Sequence, residues 1–269
     1  MNQMLKVSGV SKTFNAGSIV AHTALENCSL TVNNGEFVCI IGSNGAGKST
    51  LFNVICGSVF PDKGKVELDG EDITFMKSHK RSRDLSRVFQ DPLKGTAPNL
   101  TIAENISLAL GRQTRTNPLA IAMTKKKRDY IAEILSEFHV GLEDRLDVKV
   151  GTLSGGQRQT VVLLMAVIGK PKLLLLDEHT AALDPAATER IMGITKRAIE
   201  MNNTTTLMIT HNMADALNFG SRTVVMHEGK IVADVSGDER AKMHVEDLIA
   251  LFKEKTGTAL SDDKILLAE

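Results

Sequence analysis

The chain has 269 residues, 42% of them hydrophobic and 24% charged, with 32 basic and 32 acidic side chains and a formal net charge of zero. Zero net charge excludes a global field that would draw it to nucleic acid or an anionic membrane surface. No apolar run approaches the roughly 18 residues of a membrane span, and the length suffices for a sizeable core in one large domain or two small ones. The basic run Lys125-Lys126-Lys127-Arg128 is short and reads as a solvated helix face. Cys28, Cys39 and Cys56 are scattered, with no CxxC, and read as buried small hydrophobes in a reducing compartment. The N-terminus lacks a signal-peptide layout, so the expected compartment is the cytosol.

In chain order, Leu5–Val10 and Ala24–Val32 read as strands, separated by the polar insertion Asn15-Ala16-Gly17-Ser18. Phe37–Ile41 is a short apolar run of the kind expected for a buried parallel strand. Gly42-Ser43-Asn44-Gly45-Ala46-Gly47-Lys48-Ser49-Thr50 follows and fits G-x-x-x-x-G-K-[ST], the phosphate-binding loop. Its glycines let backbone N–H groups approach phosphate oxygens. Lys48 can reach the β- and γ-phosphates, and the Ser49 hydroxyl can ligate Mg²⁺. The run to Cys56 reads as a helix whose N-terminus points at the anion. Lys65–Leu68 is a strand closed by the hairpin-type turn Asp69-Gly70, and Ser86–Gln90 is another strand.

From there to about Thr152 the pattern turns helical. Thr101 and Glu104 form a capping box opening Ile102–Leu110. Gly111 to Asn117, with Pro118, is a polar loop, and Lys125–His139 carries Ile131, Ile134, Leu135 and Phe138 at helical spacing. Strands return at Lys172–Asp177, Thr205–Thr210, Thr223–His227 and Lys230–Val235, with helices Pro185–Met201 and Met213–Phe219 between them. The tail from Asp238 holds one helix, Val245–Phe252, and then frays.

Two further patterns carry chemistry. Four leucines precede Asp177-Glu178, so a buried strand delivers two carboxylates at its C-terminal edge. Asp177 is placed to hold Mg²⁺ and its water, and Glu178 to orient or deprotonate the attacking water. Leu153-Ser154-Gly155-Gly156-Gln157 opens a helix-forming run to Ile168 and makes a second anion-binding turn. One triphosphate needs only one cradle, so a second such turn about a hundred residues away points to the two halves of a composite site.

On these residues the chain resembles the nucleotide-binding subunits of ATP-binding cassette (ABC) transporters, from about Leu5 to Val235. The resemblance implies an α/β fold, a P-loop NTPase (RecA-like) core with an antiparallel β subdomain and an inserted helical subdomain at about 92–151. The cassette then occupies 1–236 and a helical tail 237–269. It implies ATP and Mg²⁺ as cofactors. Ser154, Gly155, Gly156 and Gln157 would meet the γ-phosphate held by a partner subunit's P-loop. Gln90, in Val88-Phe89-Gln90-Asp91-Pro92, matches the Q-loop, which senses Mg²⁺ and water and touches the membrane subunit. Asp184, in Ala182-Leu183-Asp184, matches the D-loop at the dimer interface. His211 matches the switch histidine, and Phe14 the aromatic that stacks on adenine, where many members carry Tyr. Catalysis is thereby assigned to Glu178, His211, Gln90 and Lys48, and metal binding to Ser49, Gln90 and Asp177.

One position departs from the family. His179 stands where most members carry Pro, placing a titratable imidazole beside Glu178, and whether it shifts pKa values near neutrality is left open by the sequence. Gly95-Thr96-Ala97-Pro98 after Asp91-Pro92, together with Asp177–Pro185, resembles a bacterial subgroup serving importers. Their membrane subunits resemble branched-chain amino-acid permeases and work with a solute-binding protein, and some are thought to carry aromatic amino acids. The expected partners are a second copy of the chain, transmembrane permease subunits and, indirectly, a solute-binding protein, with no nucleic acid. The expected location is peripheral, on the cytoplasmic face of the inner membrane. An exporter subunit and a soluble ABC ATPase without a membrane partner stay open as alternatives. One cassette and no sustained heptads count against the soluble types with two cassettes or a long coiled coil.

Overall fold

The computed structural model describes residues 2–111 and 123–257, and the described residues divide into two compact units, 2–81 with 205–257, and those between 82 and 204. The stretch Arg112–Asn117 with Pro118, read above as loop, lies outside the described residues, as does the chain beyond Gly257.

In the first unit, β1 (Gln3–Phe14) pairs antiparallel with β2 (His22–Asn33) and with β4 (Lys63–Leu68). Leu5 and Val7 are buried while Lys6 between them is exposed, the period-two pattern of a half-buried strand, and an irregularity after Val7 shifts the phase so that Val10 is buried as well. Asp69 and Gly70 both take left-handed φ, 50° and 80°. They make the tight turn that joins β4 to the two-residue β5 (Glu71–Asp72). So short a strand carries no periodicity, which is why the sequence shows only its turn. β3 (Phe37–Ile41) lies parallel between β8 (Thr205–Ile209) and β9 (Arg222–His227), and β10 (Lys230–Ser236) closes on β9 antiparallel. Val38 to Ile41 are fully buried, as a strand covered on both faces requires.

Helix α1 (Lys48–Cys56) leaves the phosphate-binding loop. Its last carbonyls have no intrahelical partner, and Arg81 supplies one. Arg81 ends the short α2 (Ser78–Arg81) and is 2% exposed. Its guanidinium donates to Val54 O at 2.8 Å and Ile55 O at 2.7 Å, and also to Met76 O and Thr74 O. A buried cation thus stabilises the negative end of the P-loop helix, although burial lowers its pKa.

The C-terminal part adds α7 (Met213–Asn218), α8 (Gly237–Ala241) and α9 (Val245–Thr256). Here α9 runs Val245–Thr256 and stops at Gly257, φ 67°, four residues past the expected end. Leu248 and Phe252 are its buried residues, so the apolar pattern ends before the helix does. The five-residue α8 (Gly237–Ala241) buries only Arg240 and carries no apolar signal.

In the second unit, β6 (Leu85–Val88) pairs parallel with β7 (Leu173–Asp177), whose four leucines are fully buried. The strand ends at Val88, leaving Gln90 exposed beyond it. The helices are α3 (Ile102–Gly111), α4 (Lys125–Glu137), α5 (Gly155–Val167) and α6 (Pro185–Asn202). The Thr101–Glu104 capping box forms as the spacing predicts, with Thr101 N donating to Glu104 and Glu104 N to Thr101 Oγ1. Buried Asn105 accepts from Ala97 N and donates to Ala97 O and Thr101 O. Gly151 N donates to Pro98 O. These bonds fasten the Gly95–Pro98 segment against α3. In the basic run, Lys125 and Lys126 are exposed and Arg128 pairs with Asp147. The cysteines are buried, and burial pushes the Cys28 and Cys39 thiols up to about 11 and about 12.

Candidate nucleotide and metal site

Each unit carries its own set of groups. In the first, Gly42–Thr50 connects β3 to α1. Gly47 takes φ 97°, and a Cβ there would lie 2.5 Å from Ala24 O. A Cβ on Gly42 would lie 2.3 Å from Met226 O. The loop is therefore pressed against β2 and β9 so closely that only glycine fits. Gly229 N donates to Ala46 O at 3.0 Å, which pins the loop from the β9–β10 turn. Lys48 is buried to 5% exposure, and its ammonium donates to Gly42 O at 2.7 Å and Ser43 O at 3.0 Å. The charge is thus held across the concave side of the loop. Ser49, in the first turn of α1, is exposed. A loop that admits only glycine at positions 42 and 47, a fixed ammonium and a helix N-terminus together fit a triphosphate carrying a divalent cation.

Phe14 ends β1 opposite His22, two residues before Ala24, the residue that abuts Gly47. The ladder therefore carries the aromatic toward the loop's flank, where its ring is partly exposed and Lys12 Nζ lies 5.8 Å from its centroid. His211 follows β8 and is partly exposed, just before α7, whose N-cap Asn212 accepts from Asp215 N.

In the second unit, Asp177 closes β7 and is 8% exposed. Glu178 is the next residue, partly exposed, and takes a left-handed backbone with φ 48°. A non-glycine residue held there costs on the order of 1–2 kcal/mol, and such strain concentrates at functional positions. Arg87 of β6, a residue the sequence reading passed over, forms an ion pair with Asp177. A basic residue in a strand otherwise bound for the interior was the available signal.

Ser154 caps α5, accepting from Gln157 N, while Gln157 Oε1 accepts from Ser154 N, each at 3.3 Å. This is an S-x-x-Q capping box, so the Gln157 amide is held at the turn. Ser154 and Gly155 remain exposed at the helix start. Asp184 caps α6 by accepting from Ala187 N at 2.9 Å, a structural role the motif reading left out. The two helix starts approach closely: a Cβ on Gly156 would lie 3.3 Å from Ala187 Cβ. Ser154–Gln157 and Ala182–Asp184 line one cavity of about 410 Å³. The structure thus brings the Ser154–Gln157 turn and the Ala182–Asp184 segment to one cavity.

His179 answers a question the sequence left open. It is 3% exposed, and burial pushes its pKa down from 6.5 to about 4, so it is neutral near pH 7. Thr195 Oγ1 donates to Ile191 O, so His179 Nε2, 3.3 Å away, donates to Thr195. The imidazole is a neutral packing group and does not titrate near neutrality. Its folded pKa lies below the unfolded one, so the unfolded state binds the extra proton between about pH 6.5 and pH 4. Stability from this group is present above 6.5 and is lost as pH falls toward 4. Between pH 7 and pH 4.5 the wild type is expected to lose about 2 kcal/mol more than His179→Gln. Urea unfolding at the two pH values measures it, and equal losses would refute the assignment.

Comparison with known proteins agrees with this geometry. The family described as ABC transporter matches residues 25–181. The tyrosine transport ATP-binding protein of Clostridioides difficile (strain R20291) is 42% identical over 250 residues, 93% of this chain and 99% of that protein. The spermidine/putrescine import ATP-binding protein PotA of Haemophilus influenzae (strain ATCC 51907 / DSM 11121 / KW20 / Rd) is 33% identical over 236 residues, 88% of this chain and 59% of that longer relative. A solved dimeric ATP-binding cassette in a post-hydrolysis state, bound to ADP and Pi, superposes with a TM-score of 0.74 at 31% identity, covering 87% of this chain and 98% of its own.

Proposed function

The chain belongs to the ABC transporter family, and from that premise we propose that it is the ATP-hydrolysing subunit of an importer for an amino acid or similar small solute. The observation that carries the reading is the pair of anion-binding turns, Gly42–Thr50 and Leu153–Gln157, on a cassette that also ends a buried strand in Asp177-Glu178. The tyrosine-transport name of a relative 42% identical over nearly its whole length supports an amino-acid cargo. Among the described residues no helix is long and apolar enough to cross a membrane. The proposed assembly has two copies of the chain docked peripherally, on the cytoplasmic face, to separate permease subunits fed by a solute-binding protein.

In this reading the Gly42–Thr50 backbone and Lys48 hold the β- and γ-phosphates, and Phe14 stacks on adenine. Among the described residues no cluster of three His, Cys, Asp or Glu side chains could hold a metal alone. Ser49, Gln90 and Asp177 would hold magnesium jointly with phosphate oxygens. When bound, Mg²⁺ neutralises charge developing on those oxygens. Glu178 takes a proton from the attacking water, and His211 and Lys48 stabilise charge on the transferring group. Ser154, Gly156 and Asp184 belong to the face offered to the second copy.

Lys48→Ala is expected to weaken ATP binding by about tenfold or more, since a charge-assisted contact to phosphate is lost. Titration with a fluorescent ATP analogue measures it. Unchanged affinity together with unchanged turnover would contradict the assignment. Co-purification with a multi-span protein tests the transport assembly separately.

A further inference from the structure

Arg87 and Asp177 meet because of strand register. In the parallel β6–β7 pair, Arg87 lies opposite Leu175 and Val88 opposite Leu176. Asp177 is two residues beyond Leu175, so its side chain leaves the sheet on the same face as that of Arg87, one pleat further along. The guanidinium Nη2 pairs with Asp177 Oδ2, with the side chains only 10% and 12% exposed. Arg87 also lies over the ring of Phe89, its Cζ 4.7 Å from the centroid. The carboxylate assigned to magnesium therefore already carries a cation.

We propose that Arg87 is a displaceable counter-ion for Asp177, so that magnesium binding at this carboxylate is an exchange of one cation for another. This rests on the assignment of Asp177 to the metal. A dication and a guanidinium on one carboxylate repel each other strongly in a partly buried setting. Magnesium entry must therefore release Arg87, and the Phe89 face offers the guanidinium a resting place after release. The pair serves two ends. It keeps Asp177 from standing as an uncompensated buried charge before nucleotide arrives. It also lowers affinity for the bare ion, so that metal is taken up with the phosphates that help to hold it. Because Arg87 lies three residues before Gln90 on the segment leaving β6, its release is positioned to move the Q-loop. Arg87 is thus a positioning residue acting through Asp177.

The test is metal binding by the full chain, with Mn²⁺ as the probe and electron paramagnetic resonance as the readout, in the presence of a non-hydrolysable ATP analogue. Arg87→Gln is expected to bind Mn²⁺ about tenfold tighter than wild type, because the competitor is gone. Arg87→Lys, which keeps the charge, is expected to stay close to wild type. Asp177→Asn is expected to lose affinity. If Asp177→Asn weakens binding and Arg87→Gln leaves it equal or weaker, the exchange is overturned while the metal assignment stands. If Asp177→Asn binds like wild type, the metal assignment falls and the exchange with it. A second measurement covers a poorly folded Arg87→Gln. In wild-type protein the guanidinium ¹⁵N resonance of Arg87, assigned by its loss in Arg87→Lys, is expected to move when Mg²⁺ and the analogue are added together. An unmoved resonance overturns the proposal.

Discussion

Glu178→Gln is expected to slow steady-state ATP hydrolysis by about 10²–10⁴-fold, the range supplied by a positioned general base, while ATP binding persists. The substitution keeps the size of the side chain and its backbone requirement and removes only the basic oxygen. Glu178 sits directly after the buried leucines of β7 in a left-handed conformation, φ 48°. A plain strand-ending turn would be better served there by glycine. Glu178→Gly therefore separates strain from chemistry: it should be at least as stable as wild type and as slow as Glu178→Gln. With the phosphate cradle intact and hydrolysis blocked, Glu178→Gln should accumulate as an ATP-bound dimer. Size-exclusion chromatography with ATP and Mg²⁺ reads that state directly. A variant that stays monomeric and hydrolyses like wild type would remove Glu178 from its role.

What the sequence made legible was set by how local each signal is. The P-loop, the leucine-rich strand with its two acids and the Ser154–Gln157 turn are short, contiguous patterns whose chemistry depends on spacing along the chain. The elements around them follow, because burial on both faces of β3 and β7 demands unbroken apolar runs. The α9 boundary was misjudged because a helix can outlast its apolar face. Arg87 was not legible as a partner of Asp177, since the two are 90 residues apart and meet only through the register of β6 on β7. The charge of His179 was not legible for the same reason. Proximity to Glu178 in sequence says nothing of burial, and burial decides that imidazole's charge. Arg81, fully interior and bonded to the end of α1, illustrates the converse. A basic residue within a basic stretch reads as surface until the helix it caps is located.

Mixing Ser154→Arg chains with Lys48→Ala chains is expected to restore part of the turnover that each variant loses alone. Ser154 is exposed at the start of α5, where an arginine meets solvent in the single chain and, in the proposed dimer, the other copy's phosphate cradle. Lys48 is buried within its own loop, its ammonium 2.7 Å from Gly42 O. If the Ser154 turn of one copy completes the P-loop site of the other, each parent homodimer carries one lesion in both of its sites. The mixed dimer then gathers both lesions into one site and leaves the other intact. If the two elements act within one chain, every site in the mixed dimer keeps a lesion and nothing is regained. Single-turnover hydrolysis is the appropriate readout, because cooperation between two sites would silence steady-state cycling in a dimer with one good site. Heterodimer formation is verified by mass, and its presence without recovered single-turnover hydrolysis would rule out a site shared between copies.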